Sequence, residues 1–595
     1  MPDAAARAGR ATSWQVRAER SLPARETAGI GPVWSAAPLT DPGAASPEAI
    51  ALARELGLSI TVADILHRAG RKPDEETRRF LNPRLAHLTP PEGMADREVS
   101  AERIARAVRK KERIVVFGDY DCDGITATAI LTGILRALGG EVIPLLATRT
   151  EGSYGLSEPA LARVRALNPS LLITCDCGSS DHERLRVAQA SGIDCIVIDH
   201  HLVPAEPLPV VAFLNPHRPE CRFPYKGLAS CGLALSIGAA VRKILGSALD
   251  VRPFLDLVAI GTIADVAPLD GDNRALVRAG LTVLQGGGRP GLRALAGVAN
   301  LDLGNGLNAE DVAFRIAPRL NAPGRLGTPD VALELLLAQN AISASALAAS
   351  IEQLQIQRRA IQEEMMSAAL AEIEDGKYAT EPGIVLARED WHPGVVGIVA
   401  GRIASRLGKP TIVIGLEGNS GRGSVRGPAG ARLHDALTRC RDVLVGFGGH
   451  QAAAGVEVRA ERIEALRASW CAAWSALGSP SSSPEVEASV RLDERDDPAA
   501  VTADLERLEP CGERNRASSV LLSDVTIHAA RALKGHLKLE LRMQGRELSA
   551  FGPELGELAP RLAGKRAMVV GRLRRDTWRG GNAVELRIER LSPCV

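Results

Sequence analysis

Aromatic residues make up only 3% of the 595-residue chain, so its cores must be built from Ala, Leu, Val and Ile. No run approaches the ~18 consecutive apolar residues of a membrane-spanning helix, and none is expected. The ten cysteines follow no framework of spacings. Cys175 and Cys177, and Cys221 and Cys231, do not have zinc-site spacing, and the reading is a reducing, cytoplasmic setting. A large excess of charge is missing too: 72 Lys and Arg against 71 Asp and Glu leave a net charge of +1. Any basic surface must be local rather than global. The N-terminus lacks the apolar stretch of a signal peptide, and residues 1–45, rich in Ala, Arg and Pro, read as a disordered extension.

What remains is a globular composition, 45% hydrophobic and 24% charged, with a length that suggests about three or four domains. Residues 46 to 107 alternate helical patterns with turn signals and read as a helical lead-in. From Ile114 to Val266 short apolar runs alternate with helical segments. Strands are expected at Ile114–Phe117, Val142–Leu146, Leu171–Thr174, Cys195–Ile198 and Val210–Leu214. Helices are expected at Thr126–Leu138, Glu158–Ala166, His182–Ala190 and Cys231–Leu245. That rhythm is an α/β fold with a parallel sheet covered on both faces.

Polar residues gather where these strands end. Asp119, Asp121 and Asp123 follow Gly118 at alternate positions, which in extended backbone would aim three carboxylates to one side. Two readings compete for that run: a divalent metal site, or an acidic turn in which one Asp caps the next helix. Asp176 ends the third strand, Asp199, His200 and His201 follow the fourth, and Asp265 lies in a turn bounded by Pro268. Their coincidence on one rim favours the metal site. Asp and His in this mixture suit Mn²⁺ or Mg²⁺ rather than Zn²⁺, because no thiolate is needed. Five or more carboxylates with imidazole exceed one ion, and two ions bridged by a shared Asp fit the count and in-line phosphoester hydrolysis.

The ordered set of Asp119 to Gly124, Asp176 between Cys175 and Cys177, Asp199-His200-His201 and Asp265 within Gly261–Leu269 resembles the DHH phosphoesterase superfamily. Runs at Asn215–Cys221, Tyr225–Gly232, Pro318–Arg325, Trp391–Ala400 and Gly448–Gly455 extend the resemblance over residues 46 to 595, and to the single-strand-specific 5′→3′ DNA exonucleases of that superfamily. Ser153, Cys175 and Cys122 depart from the usual pattern without removing a metal ligand. The resemblance implies two Mn²⁺ or Mg²⁺ ions, with Asp121, Asp123, Asp176, His200 and Asp265 as ligands. Asp119 and His201 would be ligands or lie close behind them.

By the same resemblance, a DHH catalytic domain with its helical lead-in spans 46–328 and a DHHA1 substrate-binding domain spans 378–478. A helical connector over 329–377, Gly-free between Pro329 and Ile373, joins them. Arg319 and Arg325 lie in a basic Pro/Gly turn suited to phosphate. Gly-rich turns at Gly421–Gly427 and Phe447–Gln451 would let backbone N–H groups approach an anion. The resemblance assigns the 5′ phosphate to Ser424 and Arg426 with Arg149, places Tyr154 with the substrate, and sets His450 over the cleft. His392 is a further candidate. After a linker at 479–483, alternating strands read as an OB-like β domain over 484–595. Its segment 501–595 holds 17 Lys and Arg against 12 Asp and Glu, a local +5, with Trp578 and Phe551 as its only aromatics.

The function implied is a metal-dependent exonuclease degrading single-stranded DNA 5′→3′ in recombination and repair. It would act as a monomer, off the membrane, beside a single-strand-binding protein and a RecQ-type helicase. The rivals are a DHH phosphodiesterase acting on short oligonucleotides, cyclic dinucleotides or pyrophosphate, and a non-catalytic DHH scaffold in a replication complex.

Overall fold

The β-branched run after Arg113 forms the strand on which the first sheet is built. The computed structural model describes residues 33–34 and 39–593, apart from 150–154, 305, 375–377, 379, 429, 450–452, 479–489, 544 and 577–582. Ser153, Tyr154, His450, Trp578, the linker at 479–483 and most of the N-terminal extension lie outside the described residues. Strands β1 (Arg113–Gly118), β2 (Glu141–Leu146), β3 (Leu171–Cys175), β4 (Asp194–Ile198) and β5 (Ala212–Leu214) make an all-parallel sheet of order β2-β1-β3-β4-β5. After β2 the chain crosses β1 to form β3. The strand order therefore reverses beside β1, the position at which open α/β sheets place their ligands.

Register fixes what lines that position. Gly118 pairs with Cys175, and Cys175 with Ile198. Asp119, Asp176 and Asp199, each one residue further on, therefore stand side by side. Helices Cys122–Ala137, Glu158–Ala166, His182–Ala190 and Ser230–Ile244 cover the sheet, and Leu255–Ala264 packs on Cys122–Ala137 and Ser230–Ile244 behind it.

The described residues of the 329–377 segment form a helical pair, Asp330–Leu337 and the 32-residue Ala341–Glu372. It leads to a mixed sheet of β6 (Ile384–Arg388), β7 (Thr411–Glu417), β8 (Ser420–Arg426), β9 (Gly446–Gly449) and β10 (Ala453–Arg459), in order β9-β10-β8-β7-β6. Gly421–Arg426 and Phe447–Gly449, expected as turns, are thus strands. β8 lies between β7 and β10, and a Cβ on Gly423 would stand 2.6 Å from Ile414, one on Gly421 2.9 Å from it. Glycine at alternate positions makes room for the neighbouring strand's side chain rather than for a turn.

The C-terminal region closes into a five-stranded barrel. Strands β11 (Val520–Leu533), β12 (His536–Met543), β13 (Arg546–Gly552), β15 (Val584–Pro593) and β14 (Arg566–Arg575) pair in that cyclic order. The helical lead-in joins this barrel: Leu52, Val62, Leu66 and Leu81 share one core with Val520, Leu539 and Leu586. Asp496 accepts the N–H groups of Ile60 and Thr61 (3.1 and 2.7 Å), capping the helix Ile60–Arg68 from across the chain. Part of the expected disordered extension is ordered as well. Val33 and Trp34 pair in parallel with Arg590 and Leu591, and Leu39 packs on Leu521 and Val570.

Candidate metal centre and substrate cleft

The acidic run does not stay extended. β1 ends at Gly118 and the helix begins at Cys122, with Asp121 as its N-cap. The Asp121 carboxylate accepts the N–H groups of Asp123 and Gly124 (3.0 and 3.1 Å). Asp123 therefore stands in the first helical turn, not at the i+4 position of a strand. The cap and the metal site, which competed as readings of the sequence, are compatible.

Asp123 is buried, and the N-terminus of the helix Ser230–Ile244 holds it there. Its two oxygens accept the N–H groups of Ser230 and Cys231 (2.7 and 2.9 Å), where the helix end carries partial positive charge. The Ser230 hydroxyl donates to Asp176 (3.1 Å). Asp176 adopts the left-handed conformation, φ 63°, which Asp tolerates better than most residues. His200 Nε2 lies 3.2 Å from Asp176, 3.7 Å from Asp265 and 3.9 Å from Asp123.

Among the described residues, ligand-type atoms converge in three overlapping groups, each with its members within 4.8 Å of one another: Asp119, Asp121 and Asp176; Asp123, His200 and Asp265; and Asp176, His200 and His201. Asp176 and His200 are the shared members. His200 Nε2 and an oxygen of Asp119 are buried without a hydrogen-bond partner among the described residues. Two such atoms, lone pairs directed into a cluster of carboxylates, fit hard divalent cations.

The electrostatics agree. Burial, reinforced by the neighbouring Asp121, pushes the Asp119 carboxyl far up, and burial with the Asp123 charge does the same to Asp176. Asp265 is pushed up to about 9 by burial and by Asp123. Burial holds His200 below its ordinary value, so it offers a neutral imidazole lone pair. Asp199 behaves differently. Burial works to raise it, but the His201 ring, 2.7 Å away, overrides that and holds the carboxyl at about 2. Burial likewise opposes the charge on His201, and the same bond carries it up to about 9. Asp199 also accepts the N–H groups of His200, His201 and Ser179, and so fixes both histidines from behind.

A basic flank adjoins this centre. The Arg149 guanidinium lies 4.2 Å over the Tyr120 ring. Arg325 is pushed down to about 10, first by burial and then by Arg149, Arg358 and Arg426 nearby. The expected basic turn is instead the helix Ala317–Leu326. Its glycine allows a close approach, since a Cβ on Gly324 would lie 2.4 Å from the Tyr120 carbonyl oxygen. A Cβ on Gly394 would lie 2.0 Å from the Arg325 oxygen. This helix thus bridges the acidic loop and the second α/β domain. Arg319, buried on the same helix, is committed to Glu352 (2.6 and 3.1 Å) and to the Arg315 carbonyl. It braces the connector, and the structure does not bring it to the cleft as a free phosphate ligand.

Arg426 donates to the Ser424 hydroxyl (2.8 Å). Both lie beside Gly397, in the first turn of the helix Val396–Leu407, whose N-terminus has no side-chain cap. His392 accepts the Gly394 N–H (3.0 Å), stabilising the turn that leads into that helix.

Three family models match: the DHH family, N-terminal domain over residues 113–262, the DHHA1 domain over 380–473 and the RecJ OB domain over 489–590. The chain is 34% identical to the single-stranded-DNA-specific exonuclease RecJ of Bacillus subtilis over 90% of its own length and 68% of that protein's. It is 35% identical to the RecJ of Thermus thermophilus over 88% of this chain and 73% of that one. The chain belongs to the RecJ family. The structure of the Thermus thermophilus RecJ in complex with Mn²⁺ matches with a TM-score of 0.76 and 32% identity, covering 92% of this chain and 78% of that one. A RecJ–Mg²⁺ structure from the same organism matches with a TM-score of 0.71. The Thermus thermophilus RecJ is thus seen with both cations that the donor set here fits.

Sequence reasoning placed Asp199 on the rim without giving it the role of holding the two histidines, and it missed Ser230 and the helix ends at Ser230 and Val396. The Ala229-Ser230-Cys231-Gly232 run at the start of an apolar helix was the one local signal.

Without a cation, the folded chain holds protons on Asp119, Asp176 and Asp265 that the unfolded chain releases near pH 4. Raised carboxyls stabilise the fold at low pH, and that contribution is lost as pH rises toward 9. Bound Mn²⁺ replaces those protons. The Mn²⁺-induced rise in melting temperature is therefore expected to be larger at about pH 8 than at about pH 6. Equal rises in thermal-shift scans at both pH values would place the cation elsewhere.

Proposed function

We propose that the protein is a metal-dependent exonuclease that hydrolyses single-stranded DNA in the 5′→3′ direction. The observation that carries this reading is the set of three overlapping carboxylate and imidazole groups that share Asp176 and His200, flanked by Arg149, Arg325 and Arg426. Asp123, His200 and Asp265 would hold one ion and Asp119, Asp121 and Asp176 the other, with His201 close by. Two divalent ions bound there supply an activated water and neutralise charge on the scissile phosphate. The chain's own groups do the rest. The helix end at Ser230 fixes Asp123, and Asp199 fixes His200 and His201.

Arg149, Arg325, Ser424, Arg426 and the helix end at Val396 would hold the 5′ phosphate, setting polarity by anchoring that end. Arg319 supports this flank through Glu352 rather than touching substrate, while Tyr154 and His450 remain assigned to the cleft by family resemblance alone. The basic barrel suits the single strand beyond the active site. It also weighs against a phosphodiesterase of short or cyclic oligonucleotides, and retention of the whole Asp and His set weighs against a non-catalytic scaffold. The RecJ relationship supports a monomer working in the cytoplasm in recombination and repair, with single strands handed over by a RecQ-type helicase or a single-strand-binding protein.

The test is a comparison of 5′-phosphorylated and 5′-hydroxyl strands with Mn²⁺. The parent is expected to prefer the phosphate. Arg426→Ala is expected to lower kcat/KM on it by about ten- to a hundredfold, the worth of a charge-assisted hydrogen bond, with little effect on the hydroxyl strand. An unchanged preference would remove Arg426 from the phosphate site.

A further inference from the structure

The helix that delivers Asp265 ends in a Schellman motif. The Val266 N–H donates to the Ile263 carbonyl (3.2 Å) and the Ala267 N–H to the Thr262 carbonyl (3.1 Å). The left-handed position of this motif belongs by preference to glycine, because a Cβ is disfavoured there. Here it is occupied by Val266, φ 58°, and a β-branched residue suits it least. The side chain does not justify itself by packing, since Val266 is 65% exposed. A second aliphatic residue stands in the same relation to the centre: Leu202, 68% exposed, directly follows His201. Asp265 and His201 are themselves open to solvent at 21% and 31% of their side chains, so both aliphatic residues adjoin the accessible side of the centre.

A single strand brings more than phosphates to such a centre. Its base faces and deoxyribose rings are apolar, and sequence-tolerant binding rests on burying them. The usual stacking rings are scarce here, and Tyr120, beside the acidic loop, already lies under Arg149. We propose that Val266, together with Leu202, is a substrate-contacting residue whose methyl groups pack on the base next to the scissile phosphate. The backbone strain at Val266 is retained because that surface is needed. This inference rests on the function proposed above and adds the part of the substrate that the ions and arginines do not touch.

The test uses the full chain with Mn²⁺ and 5′-phosphorylated strands, intact or with an abasic site beside the scissile bond. Val266→Gly is expected to match or exceed the parent in melting temperature and to keep its Mn²⁺ affinity, because the strain is relieved and no ligand is lost. Its kcat/KM on intact DNA is expected to fall about tenfold, the loss of one buried aliphatic contact. The abasic site is expected to slow the parent by a similar factor and Val266→Gly little further. Val266→Thr keeps the branched shape and the strained backbone, so a fall in its rate as well assigns the effect to apolar contact rather than to chain stiffness. Leu202→Ala is expected to act in the same direction. An active parent whose variants keep kcat/KM within about twofold overturns the inference alone, as does an equal abasic penalty in parent and Val266→Gly. A parent that cleaves no single strand overturns the proposed function and this inference with it.

Discussion

Asp176→Asn is expected to lower Mn²⁺-supported hydrolysis of single-stranded DNA on the order of a thousandfold, because ion-mediated charge stabilisation is worth several kcal/mol. Asp176 belongs to two of the three ligand groups and lies 3.2 Å from His200, so no neighbour can replace it. Asn is the informative substitution. It keeps the size and tolerates the left-handed backbone at φ 63°, whereas Ala would add strain unrelated to metal binding. The same change removes a buried carboxyl whose ionisation burial and Asp123 oppose. The metal-free variant is therefore expected to be at least as stable as the metal-free parent near pH 8, while most of its stabilisation by Mn²⁺ disappears. Thermal scans with EDTA and with Mn²⁺, alongside single-turnover rates, check both halves. A variant that loses activity and also unfolds with EDTA would mark Asp176 as structural instead.

Arg274→Ala is expected to be the most destabilising single change away from the metal centre. The Arg274 guanidinium is buried and donates to five carbonyls: Phe80 (2.8 Å), Leu508 (2.9 Å), Pro510 (3.2 Å), Arg507 and Glu509 (both 3.0 Å). It also lies 3.9 Å over the Phe80 ring. One side chain thus ties the helix Gly271–Gln285 to the lead-in helices and to the segment feeding the barrel. Burial, the largest influence, draws it down to about 10, which still leaves it charged at neutral pH. Removing it strands several buried acceptors, and a loss of about 3–5 kcal/mol follows.

The effect should reach the active site. The Leu269 N–H donates to Glu513 in that segment (2.8 Å), and Leu269 closes the turn that begins at Asp265. Arg274→Lys keeps a charge but offers at most three donors from a point, so it should recover only part of the loss. Urea titration with hydrogen exchange of the barrel strands reads the outcome. Unchanged midpoints in the Ala variant would show that the segment holds without its clasp.

These residues show which parts of the design the sequence carries. The parallel sheet and the rim of Asp119, Asp176 and Asp199 were legible because strand, turn and helix signals alternate locally and register follows from them. The start of the helix at Cys122 was not, since Asp121 can cap a helix or continue a strand with equal local logic, and Asp123 settles it only through the helix end at Ser230. The glycines at 421 and 423 resemble a turn until the side chain of Ile414 is in place. Arg319 resembles a phosphate ligand until Glu352 meets it from the connector. Nothing local could join Asp496 to Thr61 or Arg274 to Leu508, because those contacts span more than two hundred residues of chain.

Directional hydrolysis tests the central claim most directly. Long single strands blocked at the 5′ or the 3′ end, with the opposite end labelled, can be incubated with Mn²⁺ or with EDTA. The 3′-blocked strand is expected to be degraded with Mn²⁺ and left intact with EDTA, and the 5′-blocked strand to persist in both. Degradation of the 5′-blocked strand at the same rate, or cleavage that continues in EDTA, would contradict a metal centre fed from a 5′-phosphate anchor.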